Sequence, residues 1–473
     1  MSDRAEGREP ARLFGTSGIR GRLDEFLTPE FARTAGLSFA TYLGNQGTVL
    51  VARDVRPQSE SIQRCVIAGV CSGGIDVVDC GVTSTPATLV ALKSLRHKAA
   101  IVVTGSHIPP PTTGILFFLD DTGEMDEVGE ERVESLLRSE QWRRAPAADV
   151  GSVQTLDVLE IYEEEMHRSL GRVSGYRIVV DPGNGAAFST LPKVLMNAGC
   201  EVITINGNPD GTFPSRSPHP QPSSLMDLAR TVKETKADLG VGTDSDGDRA
   251  LFATTNGEVL WGDITSAILA GSELKARGGG RVITTINTSS LVQFVTRQLG
   301  GEIVATKVGP PAIAQALRKY DDAIFATEES GKHIWPGVLL YGDAALATGK
   351  LLGTMREEQK SLEELHGDLP RFHQLKSTVP CPEHLKTEAL RIVLETWKAR
   401  GEEEMLTVDG LKVTYPNLSW FLIRPSGTEA VFRCHSESPD KDEAQRLILV
   451  AEDQARQGIE RAKLRFSPRR VAA

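Results

Sequence analysis

The sequence predicts an α/β protein in which three related α/β/α domains with mixed sheets precede a smaller C-terminal α+β domain. Three observations lead there. The chain has 473 residues, room for about three or four domains of about 100–200 residues each. A strand–helix–strand plan occurs three times along it. After about residue 370 that plan gives way to helices and hairpin-like strands, which sets domain cuts at 1–150, 151–255, 256–369 and 370–473.

In the first copy, TVLVARD (48–54) and GIDVVDCG (74–81) flank a helix with Ile62, Val66, Ile67 and Val70 at helical spacing before a Gly-Gly stop. The second copy starts at Arg177 with RIVVDPGNG and closes at Gly207; the third starts at Arg281 and closes at Gly309. Each is followed by a further short strand that ends in polar residues: IVVTGSH at Ser106, LGVGTDSDGDR at Asp244, and IFATEESGKH at Glu328. Random polar turns would rarely recur in register. Between copies one and two, Val158, Leu159, Tyr162, Met166 and Leu170 share one helical face and form a connector. The Pro-rich stretch 208–224 reads as a loop.

In the last domain a helix is expected over 383–398 and strands at LKVT and over 420–423 and 430–435, with a final helix after them.

Charge and composition narrow the partners. A formal net charge of −10 leaves no basic footprint for nucleic acid or an anionic membrane, so any anion site rests on locally placed arginines, and the expected partner is a small molecule. The six cysteines show no C-x-x-C pair and no zinc spacing, as core thiols of a reducing compartment do. No apolar stretch matches a signal peptide or a membrane span, and a cytoplasmic protein is expected.

Five stretches bear chemistry. Ala100 to Val103 is an apolar run that ends at Thr104, Gly105, Ser106 and His107, and Pro109, Pro110 and Pro111 stop any helix after it. A buried strand thus delivers an exposed serine where open α/β sheets place their chemistry, or else an ordinary turn serine. Asp244, Asp246 and Asp248 alternate with Ser245 and Gly247, a hard-oxygen donor set suited to Mg²⁺ or Ca²⁺; the alternative is a solvated acidic turn. Glu328, Glu329 and Ser330 before Gly331 suit a polyhydroxylated ligand, or cap a helix. Arg424, Ser426, Gly427, Thr428 and Arg433 form a donor-rich turn that suits a phosphate, or simply a decorated β-turn. A fifth stretch, FGTSGIRG, places Arg20 in a glycine-rich loop, a phosphate site or a surface arm.

In this order the five stretches resemble, end to end, the α-D-phosphohexomutase family of phosphomannomutases, phosphoglucomutases and phosphoglucosamine mutases. The resemblance rests on FGTSGIRG, on TGSHIPP for the serine loop, on DSDGDR for the metal loop, on EESG for the sugar loop and on RPSGTE for the phosphate loop. It implies four domains around one cleft. It implies that Ser106 is a phosphoserine and that one Mg²⁺ sits on Ser106, Asp244, Asp246 and Asp248, with Arg20 and Arg249 as cationic catalytic groups. By the same resemblance Glu328 and Ser330 bind the sugar, Thr306 and Gly309 line its pocket, and Arg424, Ser426, Gly427 and Thr428 hold its non-reacting phosphate; Lys332, His333 and Arg433 are expected as further substrate contacts. A bisphosphorylated sugar would be the intermediate and activator.

Departures from the family pattern fall on its proton-transfer groups. Ile108 replaces an Asn, Leu116 replaces a Lys proposed as acid/base, Pro310 stands where some members have His, and Lys332 replaces the His of S-G-H. His107, next to Ser106, is then the expected acid/base group, with Lys332 and His333 as rivals. The expected activity is a Mg²⁺-dependent exchange of hexose 1- and 6-phosphates, on mannose or glucose because of EESG. Phosphoglucosamine mutase, phosphopentomutase and a non-catalytic sugar-phosphate-binding paralogue are the alternatives; oligomeric state is left open.

Overall fold

The computed structural model describes residues 12–399, 404–427 and 429–466. Three of its four sheets share one topology, as the repeats require. In the first, Asp76–Val82, Thr48–Arg53 and Ala99–Val103 run parallel in that spatial order, and Thr113–Leu119 adds antiparallel beyond them. The second repeats this with Glu201–Thr204, Arg177–Asp181, Leu239–Thr243 and Ala250–Ala253. The third uses Glu302–Thr306, Arg281–Thr285, Ala323–Glu328 and Lys332–Ile334. In each unit the polar motif occupies the turn between the last parallel strand and its antiparallel neighbour. Parallel strands put their carboxyl ends on one side of a sheet, so this turn recurs at one edge of every unit.

Helices cover both faces of these sheets because their strands are apolar on both sides. The helix Pro57–Ser72 takes Pro at its first turn and stops at Gly73, and it buries Ile62, Val66 and Val70 against the first sheet. The connector is the helix Leu159–Leu170, whose Tyr162 and Met166 enter a core shared by all three units: Leu50, Leu116 and Phe118 of the first pack in one cluster with Val180 of the second and Phe325 of the third. Leu116 is therefore core, fully buried on the strand that turns back from Ser106.

The last domain is a five-stranded antiparallel sheet under the helices Lys386–Lys398 and Lys441–Phe466. Strands over Leu411–Thr414, Trp420–Pro425 and Val431–Ser438 lie where the sequence places them, the last two running further than expected; His373–Pro380 and Glu404–Leu406 are additional. Alternation divides the faces. Phe421, Ile423, Phe432 and Cys434 pack on the helices in a separate core. The residues between them, Trp420, Leu422, Arg424, Arg433, His435 and Glu437, fall on the opposite face, where Trp420 and Leu422 meet Ile286 of the third unit. Much of that contact is polar: Glu437 accepts from the Ser290 amide at 2.7 Å, and Lys412 donates to the Thr288 carbonyl at 3.2 Å.

Candidate active site

Ser106 follows the strand Ala99–Val103 with a positive φ of 47°, a left-handed conformation in a turn that Gly105 opens. A Cβ at Gly105 would lie 2.5 Å from Cζ of Arg56, so only glycine admits that guanidinium beneath the loop. Arg56 is fully buried and is ion-paired to the equally buried Asp54. Its Nη2 donates to the Ser106 carbonyl at 2.8 Å and to the Ile108 carbonyl at 2.6 Å, while Nη1 reaches Ser245 Oγ at 3.1 Å. Asp54 in turn accepts from the Thr104 hydroxyl at 2.8 Å and the Gly105 amide at 3.1 Å. One buried pair thus fixes the serine loop from below and ties it to the acidic loop of the next unit.

The serine differs from expectation in one respect. It is 3% exposed rather than exposed, because the acidic loop folds over it. Its hydroxyl donates to Asp244 Oδ2 at 3.0 Å and lies 3.3 Å from His107 Nδ1, while Ser245 Oγ donates to the Ser106 carbonyl at 2.8 Å.

Asp244, Asp246 and Asp248 converge, with one oxygen of each within 4.8 Å of the others, and all three are buried. Thr85 holds Asp246 Oδ2 at 2.8 Å, and Lys332 holds Asp248 Oδ2 at 2.8 Å. Oδ1 of Asp246 and of Asp248 is buried without a hydrogen-bond partner. Burial, and then Asp248, pushes the Asp246 carboxyl up to about 6, and burial with Asp248 and Asp246 raises Asp244 as well. Burial opposes ionisation of Asp248 too, but Lys332 and Arg249 hold it below the usual range. Buried carboxylates this close, with orphaned oxygens, are what a hard divalent cation relieves, so the residues fit one.

Cationic groups surround the serine. Arg249 Nε lies 3.5 Å from Asp244 Oδ2, and Arg20 Nη1 donates to the Thr104 carbonyl at 3.4 Å. Burial, with Arg249 and Arg20 next, drives His107 well below 6.5, which favours its neutral imidazole. A hydroxyl between a carboxylate and a neutral imidazole, beside a cation site and two arginines, suits phosphoryl transfer, where positioning and charge neutralisation are the available levers.

The third unit brings its motif to the same place. Glu328 Oε1 accepts from the Gly309 amide at 3.2 Å, Ser330 Oγ lies 3.4 Å from Glu328 Oε2, and the turn between them joins two strands rather than starting a helix. Gly309 packs on the first domain: a Cβ there would sit 2.4 Å from the Thr16 carbonyl oxygen. Thr306 ends the strand before this loop, its hydroxyl donating to the Thr284 and Lys307 carbonyls. Lys332, 1% exposed, points at Asp248 and packs on Tyr341. His333, its neighbour on the strand, points the other way into the aromatic core of Phe252, Phe325 and Trp335. Expected to bind sugar, it is instead a buried core imidazole that burial pushes down to about 4.

From the fourth domain, Gly427 approaches Thr16: a Cβ would lie 3.7 Å from Thr16 Cγ2. Arg424 is ion-paired to Asp409, and Lys386 Nζ donates to the Ser426 and Glu429 carbonyls, both at 2.6 Å. Arg433 pairs with Glu429 at 2.9 Å, and Thr428 lies outside the described residues. Two site residues escape sequence reading altogether. Arg56 sits just after a strand end, and His219, in the Pro-rich loop, packs its ring 5.1 Å from that of His107.

The family models for phosphoglucomutase/phosphomannomutase match nearly the whole chain: alpha/beta/alpha domain I over 11–144, domain II over 160–257, domain III over 261–372 and the C-terminal domain over 378–452. Over 460 residues the chain is 37% identical to a protein of Methanopyrus kandleri named probable phosphoglucosamine mutase, covering 96% of this chain and 99% of that protein. It is 34% identical over 447 residues to a phosphoglucomutase/phosphomannomutase of Thermococcus kodakarensis, covering 92% and 97%. Among solved structures, a phosphoglucomutase/phosphomannomutase family protein of Burkholderia thailandensis superposes with a TM-score of 0.82 at 26% identity, over 95% of this chain and 97% of that one.

The Asp54–Arg56 pair yields the first prediction. Arg56→Met leaves a buried carboxylate unpaired and should destabilise the protein by about 3–5 kcal/mol. Asp54→Asn combined with Arg56→Met should recover much of that stability in denaturant melts while turnover stays low, because the serine loop has lost its brace.

Proposed function

The chain belongs to the phosphoglucomutase/phosphomannomutase family, a family of phosphomutase enzymes, and from that premise we propose that it interconverts the 1- and 6-phosphates of a hexose through a phosphoserine at Ser106. The observation that carries this reading is the Ser106 hydroxyl at 3.0 Å from a buried carboxylate triad with two orphaned oxygens. Glucosamine phosphate is the leading sugar, ahead of the mannose and glucose expected from EESG, because the Methanopyrus kandleri relative carries that name. The Thermococcus kodakarensis relative, named for glucose and mannose, supports the second reading.

In this mechanism Asp244, Asp246 and Asp248, with the Ser106 oxygen, would hold one Mg²⁺. That ion, when bound, neutralises negative charge on the phosphoryl group in transfer. Arg20 and Arg249 add to that neutralisation from the chain itself. The serine hydroxyl, when it attacks phosphorus, turns from Asp244 and passes its proton to His107 Nδ1, which lies 3.3 Å away. Glu328 and Ser330 orient the sugar hydroxyls, with Lys332 and the 306–309 loop beside them, and the Arg424 turn holds the distal phosphate. Holding that phosphate while the sugar turns end for end offers each end to Ser106 in turn. A bisphosphorylated sugar joins the two halves of the cycle and primes the serine. Such an enzyme acts on a small metabolite in the cytoplasm, with no nucleic-acid or membrane partner.

Purified protein assayed with Mg²⁺ and a trace of bisphosphate should turn over glucosamine phosphate faster than mannose, glucose or pentose phosphates; preference for mannose or glucose would select the second reading, and no turnover on any of them would leave a binding paralogue. The metal site has its own readout. Mg²⁺ should raise the melting temperature of the wild type and leave that of Asp246→Asn unmoved, and an equal shift in both would remove Asp246 from the site.

A further inference from the structure

The geometry points to Asp409 as a positioning residue that aims Arg424 at the distal phosphate and seats the fourth domain on the third; this rests on the reading of Arg424 as a phosphate ligand. Asp409 occupies the turn between the strands Glu404–Leu406 and Leu411–Thr414. Its Oδ2 accepts from two partners at once, Nε of Arg424 within its own domain and the backbone amide of Val308, at 3.1 Å, in the 306–309 loop of the third. A single carboxylate oxygen therefore joins the turn expected to bind phosphate to the loop expected to line the sugar.

The turn is pressed onto Arg424's strand by its sequence. Gly410 has a φ of +122°, and a Cβ there would lie 2.3 Å from the Ile423 carbonyl oxygen, so the chain beside Asp409 must be glycine to come this close. The Arg424 and Asp409 side chains are 11% and 19% exposed, and their bond is screened far less than a surface pair would be.

The mode of contact decides its sense. Asp409 engages Nε, the inner nitrogen of the guanidinium, and so leaves the outer Nη1–Nη2 edge, one of the two edges that can grip an oxyanion with two parallel N–H bonds. Asp409 thereby fixes the plane and direction of the fork. Val308 packs with Ile286, Trp420 and Leu422 in a small apolar contact between the domains, and Gly309 and Gly427 both abut Thr16. Loss of the Asp409 bond frees the arginine and loosens the seat in which the phosphate turn meets the other loops.

Steady-state kinetics on the full-length protein test this, using the hexose 1-phosphate that the wild type turns over best. Asp409→Asn keeps the shape and removes the charge; it should raise KM about tenfold while kcat stays within about twofold, the signature of lost substrate binding. Asp409→Glu should recover part of the loss. The Asp409→Ala, Arg424→Ala double variant should raise KM by less than the product of the two single effects, since the aspartate acts largely through the arginine. An unchanged KM in Asp409→Asn, with a raised one in Arg424→Ala, overturns the positioning role. A lowered KM in Asp409→Asn also overturns it, and marks Asp409 as a competitor of phosphate. An unchanged KM in Arg424→Ala overturns the reading of Arg424 itself and this inference with it.

Discussion

The site depends on a guanidinium that no solvent reaches. Arg56 lies beneath the serine loop, paired to Asp54, and spends its donors on the carbonyls of Ser106 and Ile108 and on Ser245 Oγ. A buried ion pair gains little net stability over an apolar core of the same shape, because desolvation offsets the attraction. Its contribution here is geometric. The Ser106 loop holds a left-handed residue and has Gly105 where a side chain would clash, and such a turn persists only when its surroundings fix it. Arg56 supplies that constraint and carries it across to the acidic loop, so that the serine hydroxyl and Asp244 meet at 3.0 Å although they come from different sheets. Phe213, from the Pro-rich loop, closes the underside with its ring 4.9 Å from the guanidinium carbon.

The fourth domain is joined differently. The first three units share one apolar core, whereas the fourth has its own and meets them through a sheet face rich in Lys412, Glu437, Arg424 and Lys376. A contact made of directional polar bonds can be broken and remade with less loss than a packed apolar one, as inter-domain contacts generally are. That suits a cleft proposed to admit a sugar phosphate and let it reorient, with Thr16 of the first domain as the point where the loops of the third and fourth domains converge.

What the sequence disclosed follows from how local each signal is. The repeats were legible because a strand, a glycine-stopped helix and a second strand are written in contiguous residues, and the polar turns stood out because they recur at one place in each unit. Arg56 was not legible: nothing local separates an arginine two residues beyond Asp54 from a surface one, and its partners other than Asp54 lie 50 to 189 residues away in the chain. His219 was hidden in the same way, inside a loop without periodicity. Ser106 was read as exposed because the strand before it could be seen, while the loop that covers it comes from another sheet. The burial of His333 is of another kind. Lys332 and His333 are adjacent on one strand, so period-two alternation points them to opposite faces, and it is the lysine that meets Asp248.

The central claim is that Ser106 is the station through which a phosphoryl group passes between the protein and both ends of one sugar. Charging the protein with radiolabelled phosphate and then adding unlabelled hexose 6-phosphate tests it directly. The account predicts that the label leaves Ser106 and appears first in hexose bisphosphate and then in the monophosphate pool, with the protein left phosphorylated by unlabelled phosphate. Label that stays on the protein, or that leaves only as inorganic phosphate, would contradict it.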